Sequence, residues 1–127
     1  MLHKISLGIS DIDKYRLIET RELIDEVVSL GEELKGLRLC HINSTPFGGG
    51  VAELLVSYIP LLRALGIKAD WQVIHGDHRF FTITKGLHNA LQGAPFEEIK
   101  KPSTKRVYLG NNLANARELD PNYDVFV

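Results

Sequence analysis

The chain has 127 residues, 15 of them Lys or Arg and 16 Asp or Glu, with a formal net charge of -1, 44% hydrophobic residues and 24% charged ones. This is the composition of one ordinary folded domain of roughly 100–150 residues, and it excludes a disordered chain and a second full domain alongside the first. The balanced charge argues against nucleic acid or an anionic membrane as partner, since both draw affinity from Lys and Arg in excess on one face, and the expected ligand is a small molecule.

Met1-Leu2-His3-Lys4-Ile5-Ser6 has neither the basic start nor the apolar run of a signal peptide, and no stretch approaches the ~20 apolar residues of a membrane span, so a cytoplasmic location without a membrane partner is expected. Ser10-Asp11-Ile12-Asp13 reads as a helix start, with Ser as cap and acids in the first turn. From Thr20, Leu23, Ile24, Val27, Val28 and Leu34 fall on one helical stripe, and Glu22, Asp25, Glu26, Glu32 and Glu33 fall elsewhere, with Gly36 as the expected C-cap. Residues 1–36 are therefore expected to be a helical segment with an acidic, solvated outer face.

The character changes at Leu37. Leu37-Arg38-Leu39-Cys40-His41-Ile42 is a short, mostly apolar run that predicts a strand. Cys40 is the only cysteine, so no intramolecular disulfide is available, and its apolar setting favours a core role over a reactive thiol. Asn43-Ser44-Thr45-Pro46-Phe47-Gly48-Gly49-Gly50 predicts a loop, and Val51 to Leu65 a mostly apolar helix ended by Gly66, with a kink or break expected at Pro60. A second strand is expected over Ile67 to Ile74, where Ile67, Ala69, Trp71 and Val73 alternate with more polar neighbours; strand, helix and strand make a parallel βαβ unit. Asp77 to Gln92 predicts a helix offering Phe80, Phe81, Leu87 and Leu91 to a core, with Gly93 as its stop. Thr104 to Leu119 predicts a weaker helix containing Asn111 and Asn112, Asp120-Pro121-Asn122 a turn, and Tyr123 to Val127 the start of another buried strand. The pattern over residues 37–127 is α/β, a Rossmann-like doubly wound parallel sheet that is expected to be truncated at Val127.

Gly48-Gly49-Gly50 is the strongest chemical signal. Glycines let backbone N–H groups approach a phosphate without interference from Cβ, and a helix start just beyond them offers unpaired donors and the positive end of its dipole. Gly48 and Gly50 fit the start of G-x-G-x-x-G, but Glu53 stands at its last position, so the dinucleotide fingerprint fails, and no Gly-Lys-Ser/Thr follows to make a Walker A loop. A tight turn needing positive φ is the competing explanation, although three glycines exceed what one turn requires. His75 and His78 are three apart and short of the four ligands that zinc takes, so surface histidines are the favoured reading. His41 is read as a hydrogen-bonded strand residue. His88 and Asn89 are polar groups in a helix that otherwise supplies apolar ones; on the residues alone, sugar hydroxyl contacts and a solvated helix end stand level.

His41 to Glu53 (HINSTPFGGGVAE), Trp71 to Gly76 (WQVIHG), and Phe80-Phe81 followed by Thr84-Lys85 and His88-Asn89-Ala90-Leu91-Gln92-Gly93 together resemble the N-terminal part of the glycosyltransferring trehalose synthases, over about Leu37 to Val127. The trehalose phosphorylases share much of the pattern and remain the nearest alternative. The resemblance implies a retaining glycosyltransferase of two Rossmann-like domains, the GT-B fold, passing glucose from a nucleoside-diphosphate glucose to free glucose, with no cofactor and no metal. It assigns Gly48, Gly49 and Gly50 to the donor diphosphate and His88 and Asn89 to sugar contacts on the acceptor side. It places the basic diphosphate clamp and the carboxylate for donor glucose in a C-terminal domain absent from this sequence, so the catalytic residues are expected beyond Val127 and the chain alone is expected to be inactive. Self-association through exposed apolar faces is a further expectation. A stand-alone phosphate-binding module, and a scaffold whose glycines serve only the turn, are the readings from other classes.

Overall fold

A computed structural model of the chain describes residues 2–127. The elements in order are β1 (His3–Lys4), α1 (Ile12–Tyr15), α2 (Arg21–Glu33), β2 (Arg38–Asn43), α3 (Gly50–Ala64), β3 (Lys68–Val73), α4 (His78–Leu91), a 3-10 turn (Glu97–Lys100), α5 (Pro102–Glu118) and β4 (Val125–Phe126). They fall into two compact units, one of His3–Val73 with Asp120–Val127 and one of Leu2 with Ile74–Leu119. No helix among the described residues is long and apolar enough to cross a membrane.

The first unit holds a four-stranded sheet in the order β1-β3-β2-β4. β2 and β3 run parallel from Arg38↔Lys68 to Asn43↔Val73, and β4 is parallel to β2 at Leu39↔Val125 and Cys40↔Phe126. β1 is antiparallel to β3 through His3↔Val73 and Lys4↔Gln72, an edge strand too short to show a period of two in the sequence. The mixed α/β architecture, an open four-stranded sheet with five helices, is compatible with a Rossmann-like half of a GT-B fold.

Ala52, Leu55, Ile59 and Leu62 of α3 pack with Ile67, Ala69, Trp71 and Val73, and Ile5, Leu7, Leu37 and Leu39 lie against them. Trp71 and Ile59 have no exposed surface. This stripe explains why α3 runs unbroken through Pro60, where a kink or break was expected. A proline inside a helix costs about 3 kcal/mol, less than burying two of the large apolar side chains that flank it contributes. The Pro60 carbonyl is not idle either: it accepts the Ser10 N–H at 3.0 Å.

Two helix ends differ from expectation. Asp11, not Ser10, caps α1, accepting the Asp13 N–H at 3.0 Å. α2 stops at Glu33, and Gly36 lies beyond its C-cap in the connection to β2, with φ +84° and its N–H on the Gly66 carbonyl at 2.9 Å. β4 is not buried: Val125 is 38% and Phe126 46% exposed, because no strand among the described residues covers its outer side. Its place is held by polar groups instead. Arg38 donates to the Asp120 carboxylate at 2.6 Å and the Asn122 carbonyl at 3.0 Å, and its guanidinium lies 4.9 Å from the Tyr123 ring centroid.

Asp70, on β3, gathers three donors: Lys4 Nζ at 2.7 Å, the Tyr123 hydroxyl at 2.5 Å and Arg63 at 3.3 Å. Burial works to raise its carboxyl, but the bonds from Lys4 and Tyr123 and the charges of Lys4 and Arg63 outweigh it and hold the group below its ordinary value. Tyr123 is pushed up to about 12, by burial first and by its bond to Asp70 second. Arg63 also donates to the carbonyls of Leu7, Gly8 and Ala69.

In the second unit Phe80 is buried between Phe81, with centroids 5.3 Å apart, and Tyr108, at 6.1 Å, and Ile83 and Thr104 are buried with it. Leu91, expected in a core, is 89% exposed: it continues the helix face of Phe80 and Ile83 but falls in the last turn of α4.

Candidate functional site

The glycine loop follows the carboxyl end of the parallel strand β2. Gly48 and Gly49 have φ of +72° and +96°, which accounts for glycine at both; Gly50 opens α3 with ordinary φ. A Cβ at any of the three would meet nothing within 4 Å, so the loop borders open space rather than packed protein. No side chain caps α3, whereas Thr20 caps α2 and Asp77 caps α4. The Glu53 N–H donates to the Gly49 carbonyl at 3.3 Å, which leaves the N–H groups of Gly50, Val51 and Ala52 ahead of the intrahelical ladder. These donors stand together at the positive end of the dipole of a fifteen-residue helix. Glu53, exposed in the first turn, adds a negative charge that works against an anion there.

Sequence reasoning passed over the residues that lead into this loop. Asn43, the last residue of β2, accepts the indole N–H of Trp71 on its Oδ1 at 2.8 Å and donates from Nδ2 to the Thr45 carbonyl at 2.8 Å. Thr45 Oγ1 in turn donates to the Phe47 carbonyl at 2.6 Å and accepts the Phe47 N–H at 3.3 Å. The only local signal was an Asn beside Ser and Thr in a turn, a composition that fits most loops.

The segment after β3 is held in a comparable way. Asn115 Oδ1 accepts the His75 N–H, and the Nδ2 groups of Asn111 and Asn115 both donate to the His75 carbonyl, each at 2.8 Å. Asn115 is buried. Two asparagines four apart on one helix face, which weaken α5 as a helix, thus fasten a loop. His75 and His78 are exposed, and among the described residues no three His, Cys, Asp or Glu side chains gather in a metal-holding group. His41 is half-buried, with its ring edge-on to Tyr58 at 5.7 Å, and burial lowers its pKa. Cys40 has no exposed surface, and burial, with the charge of Asp70 second, pushes its thiol up to about 11, so it is inert as a nucleophile.

His88 and Asn89 stand in the last turns of α4, both exposed. His88 Nε2 lies 3.1 Å from the amide nitrogen of Gln92. Asn89 borders an open groove of about 520 Å³ with His78, Phe81, Thr82, Lys85 and Phe96; His88 does not line it. Gly86 gives the groove its floor, for a Cβ there would collide with the Phe96 ring. Apolar faces of two phenylalanines beside amide, hydroxyl and ammonium groups make a surface suited to a polar ring with one apolar face. Gly48 to Gly50 belong to the sheet-bearing unit and His88 and Asn89 to the other.

Over residues 41–127 the chain matches the family model described as trehalose synthase, N-terminal domain. It is 42% identical over 117 residues to trehalose synthase of Pyrococcus horikoshii, a match covering 92% of this chain and 28% of that protein. To trehalose synthase of Rubrobacter xylanophilus it is 45% identical over 97 residues, covering 76% of this chain and 23% of the relative. To trehalose phosphorylase of Grifola frondosa it is 38% identical over 87 residues, 67% of this chain and 12% of the relative. The chain thus spans about a quarter of the length of the curated synthases it matches.

Proposed function

Since the chain belongs to the trehalose synthase N-terminal domain family, we propose that it is the acceptor-side part of a retaining GT-B hexosyltransferase that makes trehalose from a nucleoside-diphosphate glucose and glucose. The observation that carries this is the glycine loop: three glycines, two with positive φ, in open space at the start of an uncapped helix, directly after a parallel strand. Such a loop stabilises a diphosphate by backbone N–H groups and a dipole, so a chain of net charge -1 needs no basic excess to hold a nucleotide sugar. We assign Gly48, Gly49 and Gly50 to the donor diphosphate. Asn89, beside Phe81 and Phe96 in the groove, supports a sugar contact; His88 next to it is assigned to the same sugar.

The chain spans about a quarter of its relatives, and the resemblance places the basic clamp for the leaving diphosphate in a further, C-terminal domain. We therefore expect no turnover from it by itself. The test is a chimera in which this chain replaces the matched 117 residues of the Pyrococcus horikoshii relative. Trehalose made from glucose and a nucleoside-diphosphate glucose supports the proposal. Trehalose made only with glucose 1-phosphate as donor turns it to the phosphorylase reading. Turnover by the unfused chain overturns the claim of inactivity.

A further inference from the structure

Three consecutive glycines have more backbone freedom than any other tripeptide, and open space beside them means that no packing restrains it. Their donors are aimed only if the chain is fixed at both ends. One end is α3, anchored by its buried stripe. At the other end, a continuous hydrogen-bonded path runs from the fully buried indole of Trp71 through the Asn43 amide to the Thr45 carbonyl, and from the Thr45 hydroxyl to both polar groups of Phe47, the residue before Gly48.

We infer that Asn43 is a positioning residue, whose side-chain amide transmits the rigidity of the core at Trp71 to the glycine loop and presets its donors for a diphosphate. The inference rests on the diphosphate reading given above. Asparagine is the residue the geometry requires: one group must accept an indole N–H and another must donate to a carbonyl on opposite sides of one short side chain. Asp lacks the donor, Ser lacks the reach, and a flipped amide would set a donor against a donor.

The experiment compares the native chain with Asn43→Ala, Trp71→Phe and Gly49→Ala by amide spectra, amide exchange and titration with uridine diphosphate. Trp71 is the only tryptophan, so its indole N–H gives one resolvable signal. In Asn43→Ala the amides from Phe47 to Val51 are expected to move and exchange faster, those from Leu55 to Leu62 to stay protected, and the dissociation constant to rise about tenfold, the scale of losing ordinary hydrogen bonds. The indole signal, which should follow the titration in the native chain, should no longer respond. Trp71→Phe keeps an aromatic core and loses only the indole donor, so it should act in the same direction to a smaller extent, and it carries the test if Asn43→Ala does not fold. Unchanged loop amides and affinity, or faster exchange spread evenly along α3, overturn the inference. Weaker binding in Gly49→Ala with native binding in Asn43→Ala overturns it and leaves the diphosphate reading standing. No response of the native chain to uridine diphosphate overturns that reading, and with it any role for Asn43 in presenting donors.

Discussion

Gly49 holds φ at +96° with room for a Cβ, so Gly49→Ala is opposed by backbone strain and by nothing else. The expected loss of stability is about 1–3 kcal/mol, read as a lower urea midpoint with unchanged slope. Asn115 is the opposite kind of residue, buried and bonded through both ends of its amide to His75. Asn115→Ala leaves a donor and an acceptor of the backbone with fewer partners, and about 1–3 kcal/mol is expected to go with them; faster exchange of the His75 amide checks it. The sequence announced the first residue and hid the second. A run of glycines is visible because its composition is rare, whereas Asn111 reads only as a poor helix former, and Asn115 carries no signal of its own, until α5 is placed against the loop they serve. Asn43 was hidden for the same reason, since its meaning lies in Trp71, 28 residues on.

At the level of elements, the helices and the two central strands were legible because hydrophobic periodicity is a local signal: Ala52, Leu55, Ile59 and Leu62 repeat on one face, and Ala69, Trp71 and Val73 alternate. Of the two ends of the sheet, β4 was legible as a strand in Tyr123 to Val127, though not its exposure, whereas β1 was not, since its two residues exist by pairing. Polar groups fasten these edges, and their strength should vary with pH. The Tyr123 phenol has an ordinary value of 10.0 and stands at about 12 in the fold. Its protonated form is therefore favoured by folding; the stability it contributes is whole below pH 10 and is lost as pH rises to about 12. Tyr123→Phe is expected to melt lower than native at neutral pH, with the gap closing across that alkaline window. For Asp70 the sign is reversed: held below its ordinary 3.8, the carboxylate stabilises the fold above that pH and ceases to as the medium is acidified through its folded value. In the other unit, Gly86→Ala must displace the Phe96 ring, and a loss of about 1–3 kcal/mol is expected, together with changed shape of the groove beside Asn89.

Taken whole, the chain hides its large aromatic core residues but leaves Ile9 72%, Leu17 84% and Ile18 76% exposed in one N-terminal stretch. Exposed apolar surface of that kind promotes association, and sedimentation is expected to show concentration-dependent self-association that Leu17→Lys with Ile18→Lys reduces without altering thermal stability. One cation ties the residues just before this stretch to the sheet. Arg63 reaches two successive carbonyls of the leader, at Leu7 and Gly8, while its other nitrogens hold the Ala69 carbonyl and the Asp70 carboxylate. A guanidinium fans its donors over a plane wide enough to touch four acceptors at once; an ammonium radiates three from a point. Conserving the charge here would therefore break the joint: Arg63→Lys leaves the sheet and the outer anchors at Ile5 and Ser10 standing but loosens the segment between them, and a protease that ignores the native chain should find its first cut between Ser6 and Ser10.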